Sequence, residues 1–235
     1  MVMAGIDVSG WNGVINFENV AKSKQFVIIK AGCSISKIDT YETNYKNAKS
    51  AGLHVGAYWY STATSVDDAE REARAAIKAF DGKQFDMPIY YDVEEQATFN
   101  CGKDLVNKIV KTFCQALEDA GYFVGVYMAR WWAENYLSEQ TRERYTMWIA
   151  DWTDKCKYSG DYGVWQYGTT TVQGVNGQVD GDTCYIDFPS IIIPKHFNGY
   201  GKSEPKKAHI IDIVCTDKQY KQISDYIEKI LKGSD

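Results

Sequence analysis

The sequence predicts an α/β protein: a modified TIM-type (β/α)5β3 barrel with a small C-terminal βα appendage. Three observations carry this. Strand-like runs alternate with helix-like runs through residue 137, which implies parallel strands joined by crossover helices. The stretches AGLHVGAY (51–58) and AGYFVGVY (120–127) each close a helix on Gly and enter a strand that holds a second Gly. One helix-to-strand unit is therefore used at least twice. After residue 137 the rhythm changes to three strands joined by Gly/Asp/Thr-rich loops, with no helix between them.

Taken in order, residues 5–8 form a first strand with Ile6 and Val8 on one side and Asp7 on the other. The run Ser9-Gly10-Trp11-Asn12-Gly13 breaks it, and a short helix spans 16–24. FVIIK (26–30) is a continuous apolar run, as expected of a strand covered on both faces of a parallel sheet. A helix over 43–51 stops at Gly52, and 54–60 is the third strand. Ser65 and Asp68 make a capping box for a helix over 66–80, and 87–94 is the fourth strand. In the helix over 103–120, Leu105, Ile109, Phe113 and Leu117 recur every four residues along one face. The fifth strand is 123–127, followed by a helix over 131–137. Residues 147–150, 163–167 and 185–188 read as the three closing strands.

Composition narrows the function classes. A chain of 235 residues, 45% hydrophobic, suits one large domain with room for an appendage. A net charge of −5, with no basic run interleaved with aromatics, argues against a nucleic-acid or anionic-membrane partner. The N-terminus MVMAGIDVSG lacks a basic n-region and an apolar h-region, and no stretch reaches the roughly 18–20 apolar residues of a membrane span. Synthesis in a host cytoplasm without a signal peptide is the expectation. The six cysteines (33, 101, 114, 156, 184 and 215) show no CxxC spacing and read as free thiols, several of them buried. The three scattered histidines give no metal-ligand spacing, and no metal or cofactor is expected. Seventeen Tyr and seven Trp supply many flat rings on which sugars could stack, although such rings serve equally as core and rim residues.

The chemistry is concentrated in MPIYYDVEE (87–95). On a strand, Asp92 and Glu94 share a face with Tyr90, while Ile89, Tyr91, Val93 and Glu95 point the other way. The two carboxyls then stand at a strand's C-terminal end with Cα atoms about 6–7 Å apart. Like charges that close push their pKa values apart, so one can hold a proton near neutrality while the other is ionised. Cleavage of a glycosidic bond needs such a pair. A solvated acidic turn would account for the same residues. What favours chemistry is that Asp7, Asp92 and Glu94 all fall at C-terminal strand ends, where barrels of this kind place their sites.

Six motifs then come in order: Asp7-Val8-Ser9 with Trp11, VGAYWYS (55–61), PIYYDVE (88–94), MWIADW (147–152), WQY (165–167) and GVNGQVDGD (174–182). Together they resemble the family 25 glycoside hydrolases, the lysozyme-type muramidases common among phage endolysins. The resemblance covers residues 5–193. It implies a (β/α)5β3 barrel and hydrolysis of the β-1,4 bond between N-acetylmuramic acid and N-acetylglucosamine in peptidoglycan. It places an acidic cluster on Asp7, Asp92, Glu94 and Asp180. Glu94 would be the general acid, and Asp92 would steady the 2-acetamido group or the oxocarbenium-like centre. An acetamido oxygen acting as internal nucleophile, with net retention, is the expected course. Tyr58, Tyr60, Tyr127, Trp148 and Gln166 match positions lining the sugar cleft, and barrel packing is the competing explanation for each ring. Trp11, Trp59, Trp131 and Trp132 are assigned to core or rim. Many relatives read V-D-hydrophobic-N/D where this chain has Val179-Asp180-Gly181-Asp182. Gly181 is expected to loosen that strand, which leaves Asp182 open beside Asp180 as a substrate-facing residue. The resemblance also implies a holin-type membrane lesion as the route to the wall.

The domain expectations are a catalytic barrel over 1–194, a Gly/Pro/Lys-rich linker over 195–207, and a βα unit over 208–235. That last unit cannot cover both of its apolar faces alone. It is read as part of a wall-binding module or as a homodimer contact. Two further functional readings stay open. One is a non-catalytic cell-wall sugar-binding module. The other is a chitinase-like barrel, although Met87 and Tyr90 stand where a DxxDxDxE signature needs aspartates.

Overall fold

The computed structural model describes residues 2–201. The expected βα unit over 208–235, and with it the wall-binding and homodimer expectations, lies outside the described residues.

Nine strands form one sheet: β1 (Met3–Val8), β2 (Phe26–Cys33), β3 (Ser36–Lys37), β4 (His54–Tyr60), β5 (Ile89–Asp92), β6 (Val124–Ala129), β7 (Thr146–Ala150), β8 (Val164–Thr171) and β9 (Gln178–Cys184). Eight of them close on themselves in the order β1-β2-β4-β5-β6-β7-β8-β9, and β3 is a two-residue flap on β2. Pairing is parallel from β1 round to β8. Of the eight barrel strands only β9 runs antiparallel, wedged between β8 and β1. The helices α1 (Phe17–Val20), α2 (Tyr41–Ser50), α3 (Val66–Phe80), α4 (Gln96–Phe99), α5 (Lys103–Asp119), α6 (Arg130–Tyr136) and α7 (Glu139–Arg144) follow β1 to β6, and α8 (Pro189–Ile192) comes after β9. Five βα units and three closing strands are thus present.

Sequence chemistry explains the elements. Ser65 accepts from Asp68 N and starts α3, as the capping box requires, and α3 then sets its row of alanines and Phe80 against the sheet. Helix α5 buries Val106, Ile109, Val110, Phe113, Cys114 and Leu117. This stripe is wider than the every-fourth-residue reading, in which Leu105 only borders the core. Alternation along the strands divides the buried residues into two sets. Ile89, Tyr91 and Val93 face the helices, while Phe26, Ile28, Tyr58, Tyr90, Tyr127 and Trp148 fill the barrel.

Two expectations are corrected. The last strand is Gln178–Cys184, not 185–188. Tyr185 is a solvent-exposed loop residue, and Phe188 plugs the barrel's lower end against Phe123. Gly181 does not loosen β9; its hydrogen lies under the Tyr167 ring, where any side chain would collide. Residues 198–200 make further side-chain bonds. Asn198 is fully buried, donates to the Met87 carbonyl at 2.9 Å and accepts from Phe123 N at 2.7 Å. Tyr200 reaches Asp86, which also binds Lys49. Among the described residues no helix is long and apolar enough to cross a membrane.

The barrel interior leaves no slack at Gly125, which pairs with Tyr90 across β5 and β6. A Cβ there would stand 2.5 Å from the Tyr90 ring and 2.6 Å from the Thr146 carbonyl oxygen. Gly125→Ala is expected to cost about 1–3 kcal/mol of folding stability, measured as a lower urea midpoint with unchanged slope.

Candidate active site

The barrel mouth is built on a floor of rings. Trp148 on β7, 1% exposed, stands in the barrel axis with Tyr127, Tyr90 and Tyr58 at centroid distances of 4.5, 5.2 and 5.9 Å. Its indole nitrogen donates to Asp182 Oδ1 at 2.8 Å. The carboxylates lie above and around this floor.

Parity places Asp92 on the inner face of β5, as the sequence predicted. It is 3% exposed, and its Oδ1 has no hydrogen-bond partner. Its neighbours fix its backbone: Ser61 N donates to Asp92 O, and Val93 N donates to Tyr127 O. Glu94, two residues on, is exposed at the mouth. Burial, and then the charge of Glu94, pushes the Asp92 carboxyl well above the usual carboxylate range. Glu94 is raised too, mainly by desolvation and by Glu95 and Asp180, against the pull of Lys30. The pair therefore keeps a proton to higher pH than an isolated carboxyl does, and Glu94 is the member that can present it to a ligand.

The antiparallel strand completes the cluster. In the β1–β9 ladder Asp7 is directly opposite Asp180, and Gly5 is opposite Asp182. Asp180 is half-buried, whereas Asp182 is fully buried. Asp7 accepts from Gln166 Nε2 at 2.8 Å, and Gln166 Oε1 in turn accepts from Tyr127 Oη at 3.1 Å and Trp152 Nε1 at 3.0 Å. Burial and Asp180 push the Asp7 carboxyl up to about 7.

The residues singled out from sequence thus separate by depth. Glu94 and Asp180 face the opening, and Asp92 and Asp7 lie just below it. Tyr58 and Tyr127 are nearly buried, at 8% and 9% exposed, so they offer edges rather than faces. Trp148 and Asp182 are buried below them. The indole is consumed in packing and in its bond to Asp182. Tyr60 is half-buried at the rim and donates to Glu95 Oε1 at 2.8 Å, which keeps Glu95 beside the mouth.

Sequence reasoning missed Lys30. FVIIK reads as an apolar strand, yet parity with Ile28 sends Lys30 inward at the strand's upper end. Its ammonium lies 4.1 Å from the Tyr60 ring centroid and 5.8 Å from that of Tyr58, and it lowers the pKa of both Asp92 and Glu94. Also missed was Trp152, which makes a second rim with Trp131. Trp131 and Trp152, 55% and 60% exposed, flank a depression of about 390 Å³ lined by Tyr127, Arg130, Asp151 and Gln166. Arg130 is held there by Glu134 and Asp151 at 3.1 and 3.2 Å. Trp11, assigned to core or rim, is 94% exposed on the turn after β1. A larger cavity of about 730 Å³ opens at the opposite ends of β7 and β8, far from the carboxylate cluster. Among the described residues no group of three or more His, Cys, Asp or Glu side chains is arranged to hold a metal ion.

A buried carboxyl under an exposed, proton-retaining one, walled by tryptophans, suits proton donation to a sugar oxygen. Similarity to known proteins points the same way. The chain is 30% identical over 184 residues to the autolytic lysozyme of Clostridium acetobutylicum, covering 77% of this chain and 55% of that protein. Its fold matches the modular autolysin LytC of Streptococcus pneumoniae with a TM-score of 0.71 at 27% identity, over 78% of this chain and 47% of that one. The bacterial lysozyme of Streptomyces coelicolor shares the fold with a TM-score of 0.67 at 24% identity, over 77% and 90%. The chain thus spans about half the length of the first two relatives. The sequence model of Glycosyl hydrolases family 25 matches residues 6–175, from β1 through β8, so this chain belongs to that family.

Proposed function

We propose that the chain is a peptidoglycan hydrolase, a 1,4-β-N-acetylmuramidase of lysozyme type, cleaving between N-acetylmuramic acid and N-acetylglucosamine. The observation that carries this reading is the Asp92/Glu94 pair, one carboxyl buried and one exposed, both holding protons above the usual range at the mouth of a family 25 barrel. The autolytic lysozyme and the autolysin solved with a synthetic peptidoglycan ligand support the substrate class.

Each group has a role in this reading. Glu94 is the general acid that protonates the leaving glycosidic oxygen, since it alone of the pair is exposed. The unpartnered Oδ1 of Asp92 is placed to accept the N–H of a 2-acetamido group. That bond would turn the acetamido oxygen toward the anomeric carbon, giving substrate-assisted cleavage with retention. A covalent glycosyl adduct on Asp92, trapped by mass spectrometry, would contradict that course. Asp7 and Asp180 extend the negative floor that favours an oxocarbenium-like centre, and Trp131 and Trp152 offer exposed rings for sugar stacking, with the half-buried Tyr60 at the rim.

Glu94→Gln keeps shape and removes the proton. Release of soluble glycan from purified walls is expected to fall by about 10²–10⁴-fold with circular dichroism unchanged. Activity within tenfold of the parent would remove Glu94 from the role of acid. Lys30→Met removes the charge that holds the pair down. Both carboxyls then retain their protons to higher pH, so the alkaline limb of the kcat/KM profile should move upward. A downward shift, or none, would show that Lys30 does not tune the acid.

A further inference from the structure

The cluster holds one carboxyl that this chemistry does not use. Asp182 is fully buried on β9, with the indole N–H of Trp148 on Oδ1 and no donor on its buried Oδ2. A carboxylate ion left with one neutral donor and no cation is strongly disfavoured in such a place. Its neighbours make ionisation harder. Asp7 lies diagonally across the β1–β9 ladder on the same inner face, and the titratable groups facing the pair are Asp180, Asp92, Glu94, Tyr58, Tyr90, Tyr127 and Cys184, all anionic or neutral. Asp7 already has a neutral donor, Gln166, on Oδ2.

We propose that Asp182 is a permanently protonated carboxylic acid whose Oδ2–H donates to Asp7, making it a positioning residue that holds Asp7 as an oriented, hydrogen-bonded carboxylate under the cleft. The bond supplies the partner that Asp182 Oδ2 lacks and gives Asp7 a second neutral donor besides Gln166. Asp7 pushes the pKa of Asp182 up through its charge and the shared hydrogen bond, while the bond from Asp182 pulls that of Asp7 down, as the direction of donation requires. The chain Trp148–Asp182–Asp7–Gln166, joined at Gln166 by Tyr127 and Trp152, then runs from the barrel axis to the rim with a proton on every bond. The inference rests on the proposed role of Asp7 in the cleft, but its central statement concerns a proton and can be read without any activity.

Asp182→Asn is the decisive variant, because an amide can accept from Trp148 and donate to Asp7 at every pH. In the parent the folded state holds a proton on Asp182 that the unfolded state has released above about pH 4. Folding stability therefore falls as pH rises, by one proton's linkage from this group. Urea unfolding between pH 5 and 9 is expected to show a dependence shallower by about one proton in Asp182→Asn. An unchanged slope would mean that Asp182 is ionised in the folded protein, and would overturn the proposal. In kinetics, kcat/KM for wall digestion by Asp182→Asn should fall less than about fivefold, with the acid limb of its pH profile held. Asp182→Leu removes the donor, and should lose about 10²-fold and move that limb upward, since Asp7 ionises less readily. Equal losses in the Asn and Leu variants would also overturn it. If the parent releases no glycan at all, the proposed function falls, and the stability slope still decides the protonation of Asp182.

Discussion

The indole of Trp148 is the fixed point of this molecule. It fills the barrel axis, touches the three inward tyrosines of β4, β5 and β6, and spends its only N–H on a buried carboxyl. That arrangement answers two demands at once. A barrel of eight strands must fill its interior with side chains, and a cluster of carboxyls must sit where water is scarce enough to keep protons on them. Aromatic rings with polar edges meet both demands, being bulky below and able to donate above. The raised pKa values of Asp7 and Asp92 follow chiefly from the burial this floor imposes.

Closure by an antiparallel strand supplies the other half. A parallel eighth strand would bring one end of its sequence to the mouth in a different register. Because β9 runs against β1, the VDGD stretch passes Asp7 with Asp180 directly opposite and Asp182 one step deeper. Alternation carries both aspartates to the inner face and sends Gly181 outward beneath Tyr167. Depth then separates them: Asp180 is half-exposed at the cleft, and Asp182 is sealed below with Trp148.

Much of this was legible in the sequence, and the reasons differ by element. Parity in PIYYD placed Asp92 inward with Tyr90, because period-2 alternation on a buried strand admits no other choice. The capping box and alanine-rich face of α3 fixed its limits at 66–80. β9 was misread because GVNGQVDGD carries turn residues, whereas YIDF carries strand-like ones. The fold overrides both through ladder bonds on either side of β9. Lys30 was hidden by the apolar run that precedes it, and only closure of the sheet shows that its ammonium meets Tyr60. Trp148 and Trp152 illustrate a further limit. Both stand in MWIADW, yet one is sealed in the axis and the other open at the rim. Sequence assigns a face to each ring but not its depth.

The central claim is that this cluster cuts one particular bond. The most direct test is digestion of purified peptidoglycan by the full chain, with mass spectrometry of the new reducing ends. New N-acetylmuramic acid ends are the predicted result. New N-acetylglucosamine ends would contradict the bond assignment while keeping Glu94 as acid, and retained wall binding with no new ends would contradict catalysis altogether.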